Sequence, residues 1–444
     1  MLELDTEVRT ASDPGWDEAR QAWNLSVDQH PEAVAFPESA EDVAAVVVAA
    51  RDRGLRVTAQ ATGHGATPLG PLDRTVLIKT SRMRAASVDA EARVARVEAG
   101  AQWMDVVELA AEHGLAGLAG SAPDVGIAGY TLGGGQGWLG RKYGLACNSV
   151  VAAEVVLGDG RRVRADASNE ADLFWALRGG GGSFGIVTAL DFRLYPVASL
   201  YAGNLYWPWE RASEVLHAWR ELTLSAPDEL SSLGRILQYP PLPLLPEHLR
   251  GRQFVVVESA LIGDEAAGAE LLAPLRALGP EMDTVATIPP TMLHTLHNDP
   301  PQPVPGRGDG GLLAELPAEA VDAFVATVGP ESGSPLLGAE IRHFGGAMAT
   351  APEDAGAMPA IPAPYGTFCV GMAPVPPAIA AVEAHLDRVA EALRPWAADH
   401  DFPNLKDRPS DPVRLFGASS AARLAEVKAQ VDPDGVIRAN HPVV

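Results

Sequence analysis

The chain of 444 residues exceeds the length that one hydrophobic core usually serves, so two domains, or one domain carrying a large insertion, are expected. Hydrophobic residues make up 47% and charged residues 20%, which excludes a disordered chain, and the net charge of -23 (57 acidic against 34 basic residues) excludes nucleic acid and anionic membranes as natural partners. MLELDTEVRT lacks a basic stretch followed by an apolar one, and no segment reaches the ~20 apolar residues of a membrane span, so a cytoplasmic protein is expected.

Residues 40 to 53, AEDVAAVVVAARDR, repeat apolar positions at helical spacing behind Glu41 and Asp42, with Gly54 as the stop. LRVTAQ reads as a strand, ATGHGATPLGPLDR as a loop and TVLIKTS as a second strand. ARVARVEAGA is strand-like, WMDVVELAAEHG is a helix closed by Gly114, and 120–149 is a long glycine-laden stretch. VVAAEVVLGDGRRVRADA predicts a hairpin turning at Asp159 and Gly160, and 169–196 predicts a helix, a tetraglycine loop and a strand ending at Pro196. Beyond about 197 the glycine loops thin out and helices such as AAGAELLAPLRALG alternate with strands such as RQFVVVESALIG, which marks a different domain. PPLPLLP and NDPPQPVPG predict ordered loops. From about 401 the tail carries a helix at RLAEVKAQ and then the extended DPDGVIRANHPVV, which needs a partner surface to be ordered.

Cys147 and Cys369 are too few for a disulfide framework and read as buried small residues; His294 and His297 share a helix face but lack a third ligand, so no metal site is expected. GQGWLG at 135–140 and GGGSFG at 180–185 match G-x-G-x-x-G. Neither suits a Rossmann site, because the first runs into Gly144 and Asn148 where a helix should propagate and the second runs into the strand IVTALDF. Several such loops can nevertheless bring backbone N–H groups against the phosphates of one long ligand. His64, between Gly63 and Gly65, projects from one of them.

Four segments together, TGHG around His64, GSAPDVGIAGYTLGGGQGWLGRKYGLA at 120–146, DLFWALRGGGGSFGIVT at 172–188 and VDPDGVIRANHPV at 431–443, resemble the flavin oxidases of the vanillyl-alcohol oxidase and p-cresol methylhydroxylase fold, in their berberine-bridge-enzyme-like branch. The resemblance implies an α+β, two-domain flavoprotein. An FAD-binding domain of two α/β subdomains would span 1–196, a substrate domain with an antiparallel sheet and helices 197–400, and a C-terminal segment at 401–444 would return to the FAD-binding domain. It implies FAD joined covalently to His64, with Gln60, Ala61, Thr62, Gly63, Gly65, Ser121, Ala122, Val125, Gly126, Gly129, Thr131, Gly134, Gly135 and Gly137 around the flavin and its diphosphate. Ile186 and Val187 would lie near the adenosine, and Asn440 would come from the tail.

Ala122 stands where many relatives carry a second linking cysteine, so a single bond through His64 is implied. Gln60 and Asn148 replace an arginine and an aspartate common in the family. Val125 stands at the gate position where valine goes with access for dioxygen, so the resemblance implies an oxidase passing a hydride from a secondary metabolite, sugar, alcohol or amine to FAD, with hydrogen peroxide as product. A flavin dehydrogenase with another acceptor and a non-catalytic drug- or flavin-binding protein are the alternatives; the partners expected are a small substrate and dioxygen, in a monomer or homodimer. Candidate bases are Glu340 and His343 in GAEIRHFGGAM, whose two-residue period puts Glu340 and Arg342 on one face and Ile341 and His343 on the other, together with Tyr365 after a proline-rich turn and Asn404 in FPNL.

Overall fold

The structure, a computed structural model, describes residues 4–243 and 247–444; residues 1–3 of MLELDTEVRT and 244–246 of PPLPLLP lie outside the described residues. A small four-stranded sheet runs in the order Glu7–Arg9, Ala33–Phe36, Thr75–Lys79, Arg56–Gln60, with the last three strands parallel. Its helix, Ala40–Arg51, starts because the Ser39 hydroxyl accepts the Asp42 N–H at 3.1 Å, and it buries Val43, Val46, Val47 and Ala50. A second, antiparallel sheet orders Ala86–Asp89, Val94–Glu98, Ile186–Arg193, Val150–Val156 and Arg162–Asp166; its Asp159-Gly160 turn needs the glycine, which has φ 87°.

The glycine-laden stretch 120–149 is punctuated by short helices at Ile127–Leu132 and Gly140–Tyr143 and a 3₁₀ turn at Ala146–Ser149. Burial of Ile127, Leu132, Cys147 and Ser149 outweighs the poor helix propensity of the glycines around them.

The third sheet is antiparallel and crosses residues 200–372 in the order Met282–Asp283, Leu200–Pro208, Gln253–Leu261, Leu230–Gln238, Gly338–His343, Tyr365–Met372, Gly306–Leu313, with Ala286–Ile288 also paired to Leu200–Pro208. Helices Ala212–Thr223, Glu265–Arg276, Ala318–Val328 and Pro376–Leu393 share one core with it, built around Trp207, Trp219 and Phe324.

The tail returns to the first half of the chain. Leu424 and Val427 of helix Ala418–Val431 pack in the same core as Phe174 and Phe184, and Val57 of the small sheet donates to Val436 and accepts from Arg438, both at 2.8 Å. Asp432, 4% exposed, organises this docking: its carboxylate accepts the Val436 and Ile437 N–H groups at 2.9 Å and pairs with Lys428. The Lys428 ammonium also donates to the carbonyls of Ser183, in the tetraglycine loop, and Ile437. The chain thus has an α+β fold in which the tail joins the cores of the first two sheets.

Candidate active site

His64 sits on the loop between Arg56–Gln60 and Thr75–Lys79. At Gly63, with φ 97°, a side chain would collide with the Gln60 amide and Ala22. Thr62 Oγ1 lies 2.8 Å from His64 Nδ1, and the indole of Trp23 stacks on the imidazole at 4.2 Å. Trp23 Nε1 donates to Asp124 Oδ2 at 2.7 Å, and Asp124 Oδ1 stands 3.7 Å from His64 Nε2. Burial lowers the His64 pKa against the opposing pull of Asp124 and Asp299, which favours the neutral ring with its free lone pair.

The segment carrying Ser121, Ala122, Val125 and Gly126 lies alongside. A Cβ on Gly126 would stand 2.8 Å from that of Ala61, while the Val125 carbonyl accepts the Trp103 N–H. Gly134 and Gly135, with φ 116° and 78°, form the next turn, and the Gly135 N–H donates to Asn404 Oδ1 at 2.9 Å. A side chain at Gly137 would collide with the Ala119 carbonyl. Ile186 and Val187 are buried at the start of their strand, and Asn440 Nδ2 donates to the Gly65 carbonyl at 3.4 Å.

On or beside these loops, Gln60 Oε1, His64 Nε2, Asp124 Oδ1, Thr131 Oγ1 and Ser183 Oγ are buried without a hydrogen-bond partner among the described residues. Buried polar atoms in native interiors are as a rule hydrogen-bonded, so each of these asks for a partner. Gly129, Gly181 and Gly182 border open space. A long ligand rich in carbonyl, hydroxyl and phosphate groups, as FAD is, suits this set.

Towards the third sheet lies a small cleft of about 20 Å³, lined among others by Ser121, Gln136, Trp138, Ser231, Ser232 and Arg342. Arg342 Nε donates to Glu340 Oε1 at 2.6 Å and Arg342 Nη1 to Gln136 at 2.9 Å. Glu340 is 3% exposed, and its second oxygen faces His297 Nε2 at 3.3 Å and Arg235 Nε at 3.5 Å. With both oxygens engaged, Glu340 is arranged to hold Arg342 rather than to stand free as a base.

The other three expected bases are placed differently. Tyr365 does not reach the cleft: its hydroxyl pairs with Thr223 at 2.7 Å inside the helix-covered core, beside Trp219. That outcome follows from the pleat, which turns the first residue of this strand toward the helices. His343 borders the cleft, but its Nε2 faces the Arg141 guanidinium at 3.2 Å, and burial together with that charge pulls its pKa down to about 3, which removes its basicity near neutrality. Asn404 clasps the glycine loop, receiving the Gly135 N–H and donating to the Tyr130 carbonyl.

Nothing in the sequence marks Trp23, Asp299, Glu258 or Arg235, and His297 stands out there only as a possible metal ligand beside His294. Asp124 and Gln136, by contrast, lie inside the quoted motifs, where a polar residue amid glycines was a usable signal. Asn148 is the anchor of the segment 356–359, receiving the Gly356 N–H and donating to the Met358 and Pro359 carbonyls.

Residues 31–166 match the FAD binding domain family. The chain is 28% identical to the uncharacterized FAD-linked oxidoreductase YvdP of Bacillus subtilis (strain 168), over 98% of this chain and 97% of that protein. It is 36% identical to the glucooligosaccharide oxidase of Sarocladium strictum over 240 residues, 52% of this chain and 48% of the relative, so there the chain spans about half the length of the curated relative it matches. Among solved structures, BBE-like 1 of Physcomitrella patens superposes with a TM-score of 0.85 at 21% identity, covering 99% of this chain and 97% of that one. Fold and site together define an FAD-dependent oxidoreductase of the vanillyl-alcohol oxidase and p-cresol methylhydroxylase fold. Within that fold, the chain is similar to the berberine-bridge-enzyme-like proteins and to FAD-linked oxidoreductases.

Proposed function

We propose that the protein is an oxidase that holds FAD through a single covalent bond to His64 and oxidises a hydroxyl-rich small molecule, in the manner of a sugar or oligosaccharide oxidase. FAD, when bound, supplies the hydride acceptor and passes the electrons to dioxygen to give hydrogen peroxide. The observation that carries this reading is the set of unpartnered buried polar atoms, Gln60 Oε1, His64 Nε2, Asp124 Oδ1, Thr131 Oγ1 and Ser183 Oγ, on and beside the three glycine-rich segments. The neutral imidazole, fixed by Trp23 and Thr62, is suited to form the bond, and Ala122 offers no second thiol. Residues 1–196 and 401–444 would form the cofactor unit and 197–400 the substrate unit.

Ser231, Ser232, Ser121 and Gln136 line the cleft with uncharged donors and acceptors, and the charges beside them are paired, which suits hydroxyl groups better than a charged substrate. The likeness to glucooligosaccharide, xylooligosaccharide and chitooligosaccharide oxidases supports the same class. Two buried free thiols accord with residence in the reducing cytoplasm.

Intact mass after denaturation and a peroxide assay over a panel of oligosaccharides and 6-hydroxynicotine test the reading. A chain heavier by one FAD and peroxide release with a sugar are expected. Flavin that washes out on denaturation removes the covalent bond, and turnover only with an artificial acceptor turns the oxidase into a dehydrogenase.

A further inference from the structure

Glu258, Glu340, His297 and Arg235, 1%, 3%, 7% and 8% exposed, form a buried ionic cluster. His297 ends the one-turn helix His294–His297, and Asn298, at φ 53°, turns the chain so that Asp299 faces back toward it. Its Nδ1 lies 2.8 Å from Glu258 Oε2, and its Nε2 lies 3.3 Å from Glu340 Oε2 and 3.9 Å from Asp299 Oδ1. Ionised carboxylates only accept hydrogen bonds, so a neutral ring would aim a lone pair at one of them; a doubly protonated ring serves both sides. The charge count agrees. Three carboxylates, Glu258, Glu340 and Asp299, meet two guanidiniums, Arg235 and Arg342, and a third cation closes the balance.

Both ends of this chain reach the FAD-binding loops. Asp299 accepts from the Ser121 hydroxyl at 2.9 Å, and Arg342, held by Glu340, donates to Gln136. We propose that His297 is a resident imidazolium and a positioning residue: by holding Glu340 and Asp299 it fixes Arg342 and Ser121 at the walls of the cleft. The role, though not the charge, rests on reading that cleft as the substrate site.

The groups facing His297 are Arg235 from Leu230–Gln238, which donates to its carbonyl at 2.9 Å, Glu258 from Gln253–Leu261, Glu340 from Gly338–His343 and Asp299 from its own segment. Tyr206 stands behind Asn204, which binds the Leu296 carbonyl. Burial and Arg235 oppose the charge, but the three carboxylates prevail and raise the His297 pKa above its ordinary value. A raised value means the charge extends to higher pH than on a free histidine and is lost as pH rises through the folded-state value. Above it, three carboxylates face two guanidiniums and the wall loosens.

The test uses the holoenzyme labelled with ¹⁵N-histidine and titrated from pH 6 to 10. One ring of the eleven should remain doubly protonated at pH 8; the absence of such a ring overturns the proposal, and this measurement needs no variant to fold. With a sugar of the panel that bleaches the flavin, the wild-type kcat should fall about tenfold per pH unit above the midpoint of that titration, while KM changes less. His297→Gln should lack both the persistent ring and the alkaline limb. A variant that keeps the ring or the limb overturns the assignment. If no panel member bleaches the flavin, the oxidase reading fails, and the titration still decides on the imidazolium.

Discussion

Trp23 covers one face of His64, ring centroids 4.2 Å apart and planes 22° from parallel, while its indole N–H holds Asp124 at 2.7 Å. A residue forty-one positions upstream thereby sets both the plane of the imidazole and the carboxylate beside it.

His64→Ala should leave FAD bound, if at all, only non-covalently, so acid precipitation releases all of it into the supernatant. Trp23→Phe keeps a ring over His64 but strips Asp124 of its donor, a loss of about 1–3 kcal/mol at a half-buried carboxylate. The fraction of chains carrying covalent flavin, read by mass, should drop in that variant while total folded protein does not.

Val125→Leu adds bulk beside the Trp103 contact in a packed segment. Stopped-flow reoxidation of the photoreduced enzyme should slow by roughly ten- to a hundredfold, the equivalent of about 1–3 kcal/mol of overpacking. Reduction by substrate should change little, and unchanged reoxidation would remove Val125 as the gate.

Asp432→Ala strands the buried Lys428 ammonium and frees two backbone N–H groups, at a cost of about 3–5 kcal/mol. Chemical denaturation should show that loss, and deletion of the residues after Val431 should abolish flavin incorporation. A truncated chain that folds with full covalent flavin would refute the role given to the tail.

Asp407 is raised to about 7 by burial and by Asp309 beside it. Because the folded form holds its proton more tightly than the unfolded form, this group favours folding at low pH and the contribution is lost as pH rises from about 4 to 7. Asp407→Asn should therefore raise the melting temperature above pH 7, by roughly 1–3 °C, and not at pH 4. A larger gain at pH 4 than at pH 8 would contradict the assignment.

The glycine-rich loops were legible because a positive φ or a close approach writes itself into sequence as glycine: Gly63, Gly134, Gly135 and Gly181 all have φ above 70°. The ionic cluster was not, since Arg235, Glu258 and Glu340 lie on separate strands brought together only by sheet order, and an isolated charge in a strand reads as solvated. Alternation paired Glu340 with Arg342, but the proline-rich turn before Tyr365 carried no sign of which side of the sheet faces the helices, where its hydroxyl meets Thr223. His297 was weighed only as a metal ligand, because its carboxylate partners are far away in the chain.

The contact of Asn440 with Gly65 spans 375 residues, and Asp432 ties the same tail to the tetraglycine loop through Lys428. During synthesis, therefore, the His64 loop emerges long before the segment that closes over it. A ribosome-bound chain halted before residue 432 has the glycine-rich loops but no clasp; if the tail is needed for cofactor capture as proposed, that capture would be timed to the end of translation, and a proteolytic nick late in the chain would cost the flavin rather than a dispensable fringe.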